Sequence, residues 1–221
     1  MWQARIKITP RLTMPWHRDA TMMHGVLSRL FGLDHAKGRP NFVLWHDDGD
    51  WHVISLAKER PPIFVTTPQP IEVNRRAVTM TLVGLHQVEL PPMQRPADRL
   101  VLSTLTPLVI SSQAHTKVCT DPREEHLVAA LQRLSERHEL GICAAGELQV
   151  LHGAGLGVRT HIGGHVQRGS AVPGQVLGWH GSMVIRPTAV GQWLLRLAEQ
   201  VGIGGLTGMG FGRVRAWEEA T

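Results

Sequence analysis

Gly202-Ile-Gly-Gly-Leu-Thr-Gly-Met-Gly-Phe-Gly212 decides how the rest of this chain is read. Gly202, Gly204, Gly205, Gly208, Gly210 and Gly212 crowd into this one stretch. Glycine gives up more backbone freedom on folding than any other residue, so the cluster needs a compensating role. Positive φ angles would supply one, and close approach of backbone N–H groups to a bulky anion such as phosphate would supply another. A dinucleotide or P-loop fingerprint follows a strand and opens a helix. Here the order is reversed, with an apolar helix before the glycines and a short strand after them, so a nucleotide-using enzyme is not indicated.

The preceding helix is marked by Pro187 and by Val190, Trp193, Leu194, Leu197 and Val201 at helical spacing. The following strand is expected over residues 210–217. Further back, Asp121-Pro122 followed by Glu124 is a helix start, Leu127, Val128, Leu131 and Leu134 give that helix an apolar face, and Gly141 ends it. Strands are expected around 148–152, 156–162 and 175–185. Within Arg159-Thr-His-Ile-Gly-Gly-His165-Val-Gln-Arg168, strand alternation puts Arg159 and His161 on one face beside two glycines, where a ligand backbone can approach.

At the other end, Trp2, Ala4, Ile6 and Ile8 alternate with Gln3, Arg5 and Lys7, the pattern of a half-buried strand. Asp19 caps a helix with Met22, Met23, Val26, Leu27, Leu30 and Phe31 as its apolar stripe, ending at Gly32. At about 100° per residue, Thr21, His24 and Ser28 share a sector of the opposite, polar face. Residues 41–46 and 51–57 read as a hairpin closed by Asp47-Asp-Gly-Asp50, and further strands are expected at 77–85 and 100–110. Pro91, Pro92 and Pro96 make 86–99 an exposed loop. A second lobe begins near Ser111, so the chain divides at 1–110 and 111–221, each half α+β with no strict βαβ alternation.

With 221 residues, the chain has room for two small domains with their own cores. A formal charge of +5 suits a polyanionic partner. Arg5, Lys7, Arg11 and Arg18 gather near the start, and Arg159, Arg168, Arg186, Arg213 and Arg215 lie around the glycine-rich end. No apolar run is long enough to span a bilayer and no secretory signal is present, so a cytoplasmic protein with no membrane association is expected. Two cysteines, Cys119 and Cys143, without Cys-x-x-Cys spacing argue against a disulfide framework or thiolate zinc site, and both read as buried thiols. His161 and His165 have no carboxylate or cysteine beside them, so no metal and no cofactor are expected. Of the seven tryptophans, Trp2, Trp179 and Trp193 fit core or strand patterns, whereas Trp16 beside His17 is placed to meet a base.

Helix, then Gly-x-Gly-x-x-x-x-Met-Gly-x-Gly, then a closing strand resembles the C-terminal signature of the CRISPR repeat-RNA processing endoribonucleases of the RAMP superfamily. The helix bearing His24 and the Leu105-Thr-Pro-Leu-Val-Ile110 segment extend the resemblance to most of the chain. It implies two tandem ferredoxin-like, RRM-like lobes with a C-terminal glycine-rich loop. It also implies metal-independent cleavage of CRISPR precursor transcripts within their repeats, by attack of a 2′-hydroxyl to leave a 2′,3′-cyclic phosphate. His24 stands where the family carries its histidine, with Thr21 and Arg18 as further catalytic candidates. Ser28, His17, Arg29 and Lys37 are other candidates for the second role. Arg29, Arg159, His161, Arg168 and the six glycines are the expected RNA contacts. Related enzymes often place a tyrosine near the histidine, and this chain contains none. The implied partners are repeat RNA, commonly a hairpin, and the subunits of a CRISPR effector complex. The alternative is a catalytically inactive RNA-binding subunit of such a complex.

Overall fold

The computed structural model describes residues 1–11, 23–26, 42–47, 49–55, 68–73, 76–110, 122–161, 175–205, 207 and 210–219, with backbone alone at 73, 161 and 175. Two antiparallel sheets organise them, and the chain divides into two compact units, one containing Met1–Glu89 and the other beginning at Leu90.

The first sheet is built around β1 (Trp2–Thr9), whose alternation is as read: Ala4, Ile6 and Ile8 are buried while Arg5 and Lys7 are exposed. The hairpin β2 (Phe42–Asp47) and β3 (Asp50–Ser55) closes at Asp47↔Asp50, with Gly49 at φ 85° in the turn. β4 (Gln69–Val73) and β5 (Arg76–Gln87) form a second hairpin. The sheet order is β2-β3-β1-β5-β4, with β1 antiparallel to both β3 and β5. Strands β2-β3-β1-β5 have the order of a ferredoxin-like sheet, and β4 adds an outer strand. Between Arg5 and Ile6 the register with β5 slips, pairing Arg5 with Gly84 but Ile6 with Leu82. The extra residue, Val83, has no register partner on β1, as in a bulge, and is 40% exposed. A helical turn at 23–26 adds Met23 and Val26 to the core formed by β1, β2 and β3.

The second sheet has the order β7-β8-β6-β9, formed by β6 (Leu100–Thr104), β7 (Leu148–His161), β8 (Gln175–Pro187) and β9 (Val214–Glu218). Together with helices α1 (Glu124–Arg137) and α2 (Ala189–Val201) this is the ferredoxin-like succession βαββαβ. β6 precedes residue 111 in the chain yet belongs to this sheet. In α1, Leu127, Ala130, Leu131 and Leu134 are buried, and Glu124 and Glu125 complement the N-terminal dipole. Thr188 caps α2, its hydroxyl accepting from the Gly191 amide at 3.1 Å. Leu194, Leu195, Leu197, Ala198 and Val201 bury the inner face of α2.

Several boundaries differ from expectation for local reasons. The strand expected over 100–110 ends at Thr104, because residues 105 and 106 bend and both donate their amides to the Arg213 carbonyl. Leu108 and Val109 beyond Pro107 make only isolated bridges, to Trp179 and Gly205. The segments expected at 148–152 and 156–162 join in one continuous strand, Leu148–His161, in which Gly155 fits because a Cβ there would lie 2.5 Å from the Trp179 ring. The last strand starts at Val214 rather than 210, since Gly210 and Gly212 sit at φ 83° and 69°. The proline-rich loop is largely exposed but tied to α2. Trp193 Nε1 donates to the Pro91 carbonyl at 2.5 Å, Ala97 N to Gln192 Oε1 at 2.7 Å, and Gln192 Nε2 to the Arg95 carbonyl at 3.3 Å. Cys143, expected to be buried, is exposed. Cys119 lies outside the described residues. No helix among the described residues is long and apolar enough to cross a membrane.

Candidate functional site

The glycine-rich stretch is a knot of backbone against backbone. Gly202 ends α2 at φ 72°, donating its amide to the Ala198 carbonyl at 2.8 Å. The chain then runs alongside 107–109. Gly205 N donates to the Val109 carbonyl at 2.7 Å, Gly212 N to the Pro107 carbonyl at 3.0 Å, and Ile203 N to the Gly212 carbonyl at 2.9 Å. A Cβ on Gly212 would lie 1.9 Å from the Ile203 carbonyl oxygen, and one on Gly204 2.7 Å from that of Val109. Both also require positive φ, 69° and 84°. From α1, Arg137 Nη1 donates to Thr207 Oγ1 at 3.1 Å, and Phe211 is fully buried.

Of the two roles, free amides facing a phosphate are not what Gly202, Gly205 and Gly212 present. Those amides are bonded to carbonyls of the protein itself, and a phosphate would have to break those bonds to take them. Gly202, Gly204 and Gly212 are required instead by positive φ and tight packing, the other role open to such a cluster. Gly210 sits at φ 83° and is buried, and Gly208 lies outside the described residues.

His24 departs from its expected surroundings. The periodicity predicts a polar face, whereas the ring is only 7% exposed and packs against Phe42 of β2, with centroids 5.3 Å apart and planes tilted by 44°. At about 100° per residue His24 falls only about 20° past the Phe31 edge of the stripe, so a small widening of the buried sector takes it in. Contact with β2 is non-local, and no spacing within 12–32 announces it. Thr21, Arg18, Arg29, Ser28, His17, Lys37 and Trp16 lie outside the described residues.

The face of the first sheet opposite its core carries charge that the N-terminal alternation only partly disclosed. Arg5 pairs in register with His52, which in turn pairs with Trp45. The His52 and Trp45 rings stack at 5.3 Å with planes 2° apart, and His52 Nδ1 lies 3.3 Å from Gln3 Nε2. Arg5 Nε lies 3.5 Å from Asp50 Oδ2. His46 has its pKa lowered, first by burial and then by the Arg11 guanidinium. The turn Asp47-Asp-Gly-Asp50 fixes which residues of the hairpin face each other, but nothing local reveals that β3 pairs with β1.

In the second sheet Arg159 is exposed on β7, and His161 follows at the end of the same strand. Arg168 lies outside the described residues. Sequence reasoning passed over Trp217, which is 43% exposed two residues beyond the exposed Arg215. The signal was available in the alternation Arg213, Arg215, Trp217 that follows the glycines. Among the described residues no group of three or more histidine, cysteine, aspartate or glutamate side chains is placed to hold a metal ion.

No family model matches the chain, and no curated protein matches it. Solved structures do. A Cas6 product complex superposes with a TM-score of 0.64 at 15% identity, covering 99% of this chain and 100% of that one. Cas6 of Thermus thermophilus gives a TM-score of 0.56 at 15% identity, covering 98% of this chain and 97% of that one. A RAMP protein described as binding different RNA substrates gives 0.56 at 13% identity, covering 98% of this chain and 99% of that one. At these identities the likeness establishes the fold: the chain has the double ferredoxin-like fold of the Cas6 structures.

Proposed function

We propose that this chain binds CRISPR repeat RNA and cuts the precursor transcript within the repeat, without a metal, to give mature guide RNA that it retains in an effector complex. The observation that carries this reading is fold likeness over nearly the whole chain to Cas6 structures, among them product complexes. The glycine-rich knot after α2, at the place the family signature has it, supports the same reading.

The chemistry needs a base to take the proton of the 2′-hydroxyl, which then attacks the adjacent phosphorus. It also needs an acid to protonate the departing 5′-oxygen, so that one proton is taken and one returned while the 2′,3′-cyclic phosphate forms. Histidine suits both transfers near neutral pH, and an arginine stabilises the charge that grows on the phosphoryl oxygens. Within this proposal His24 is the first candidate for proton transfer, with Arg18 for charge stabilisation and Thr21 as a hydrogen-bonding partner of the phosphate. Arg29, Arg159, His161 and Arg168 are proposed RNA contacts, together with Gly208 on the loop.

The burial of His24 against Phe42, in a chain without tyrosine, favours a second reading: a non-catalytic subunit that grips RNA with the same fold. Single His24→Ala and His17→Ala variants, assayed with a repeat RNA in excess EDTA, separate the two. Cleavage by the wild type that one histidine substitution abolishes without weakening binding supports the enzyme and identifies its proton carrier. Tight binding with no cleavage by any of the proteins selects the second reading.

A further inference from the structure

The helix-free face of the second sheet carries an exposed aromatic residue that no core or cap accounts for. Helices α1 and α2 and the strands beneath them bury Leu100 and Leu102 of β6 and Val214 and Ala216 of β9. The residues between these point the other way. Register places Val101 opposite Trp217 and Ser103 opposite Arg215, so the four form one patch. Trp217 is 43% exposed and Arg215 is exposed with it.

β9 ends the sheet, but its outer edge is closed to another strand at this point. Ala216 N donates to Glu199 Oε1 at 2.8 Å, and Arg196 Nη1 donates to the Ala216 carbonyl at 2.6 Å. Glu199 and Arg196 are themselves paired at 2.9 Å on α2. Side chains of α2 thus occupy the backbone groups that strand addition would use. What remains on offer is the face itself, an indole beside a guanidinium. Among the described residues no carboxylate pairs with Arg215. Glu218 has the opposite parity on β9, and Glu219 is held by Arg99 at 3.4 Å. An aromatic plane flanked by an uncompensated cation and the Ser103 hydroxyl complements a polyanion that also presents flat bases.

We infer that the β6/β9 face is a stacking platform for single-stranded RNA, Trp217 meeting a base and Arg215 the adjoining phosphate. The inference rests on the reading that the chain binds RNA, and it deepens that reading by adding a site for an unpaired flank of the repeat. Stacking accepts any base, so the platform holds the strand without reading its sequence. A duplex stem, whose bases are already stacked on one another, has no use for it.

The test uses the full chain, in EDTA, with a fluorescent repeat RNA bearing its single-stranded flanks and with the stem alone. Trp217→Ala should weaken binding of the flanked RNA by roughly five- to a hundredfold, the span of one lost base–aromatic stack, and leave the stem unchanged. Trp217→Phe should recover most of the loss. Arg215→Ala should reduce the slope of log affinity against log salt by about 0.7, one phosphate contact on a single strand. With 4-thiouridine in the flank, cross-linking should fall on the peptide carrying residues 214–218. If wild type binds the flanked RNA and all variants bind it equally, with no cross-link to that peptide, the platform is overturned while the proposed function stands. If wild type binds neither RNA, the proposed function fails and the platform with it. Thermal midpoints of the variants, expected to match wild type because both side chains are exposed, separate lost contact from lost fold.

Discussion

Replacing Gly212 with alanine tests whether the glycine-rich stretch is a folding device. At φ 69° a side chain costs about 1–2 kcal/mol relative to a right-handed conformation. The added Cβ would also lie 1.9 Å from the Ile203 carbonyl oxygen, a backbone atom held in place because Ile203 donates its own amide to the Gly212 carbonyl. The backbone must therefore separate, which sacrifices that bond and leaves buried groups unmatched at about 1–3 kcal/mol. Together the penalty is about 2–5 kcal/mol, a large share of a total stability of about 5–15 kcal/mol. With an m-value of about 2 kcal/mol per molar, the urea midpoint of the unit that begins at Leu90 should fall by about 1–2.5 M.

Gly205→Ala is the matched control. Gly205 carries no positive φ, and its added Cβ would meet nothing closer than 3.4 Å. It should change stability by less than about 1 kcal/mol. Urea unfolding followed by circular dichroism, with RNA affinity measured on the folded proteins, gives both readouts. A Gly212→Ala protein as stable as wild type would refute the folding role. So would a fully stable Gly205→Ala protein whose RNA affinity drops tenfold, because the glycines would then be serving the ligand directly.

Two further predictions follow from the second unit. His138, just past α1, has a buried Nε2 without a partner among the described residues, and burial followed by the Arg137 charge lowers its pKa to about 4 from 6.5. The unfolded state takes up the proton first, so the stability from the neutral ring is complete above about pH 6.5 and is lost as pH falls to about 4. The full shift would be worth about 3.4 kcal/mol, and partial exposure of the ring to water reduces this to about 1–2 kcal/mol. His138→Gln should remove that much of the difference between urea midpoints at pH 7 and pH 4.5, and an unchanged difference would contradict it. Thr188→Ala removes the hydroxyl that caps Gly191 and should cost about 1 kcal/mol, read as a lower thermal midpoint with unchanged RNA affinity.

Where folding is governed by neighbours in the chain, the sequence was a good guide. β1 shows its two faces in eight residues, the β2–β3 turn carries its glycine at positive φ, and both helices of the second unit lie within the expected limits, although α1 begins at Glu124 with Arg123 as its N-cap rather than at the Asp121-Pro122 signal. Strand limits were less legible because they depend on where amides find partners. The bend at 105–106 is set by the Arg213 carbonyl, more than a hundred residues away. The candidate site was the least legible part. His24 is off the apolar stripe by its spacing, yet it is buried and packs against Phe42 of β2. The glycine motif pointed correctly to the fold, yet of its two physical roles it was the positive φ and close packing, rather than waiting amides, that the neighbouring 107–109 segment demanded.

The most direct test of RNA cleavage by this chain compares an intact repeat RNA with a copy lacking the single 2′-hydroxyl at the cut, both incubated with the purified protein in excess EDTA. The account predicts that the intact RNA is cut once, leaving a 2′,3′-cyclic phosphate, while the deoxy copy is bound with similar affinity and stays whole. Cleavage of both copies, or cleavage only when a divalent metal is restored, would contradict it.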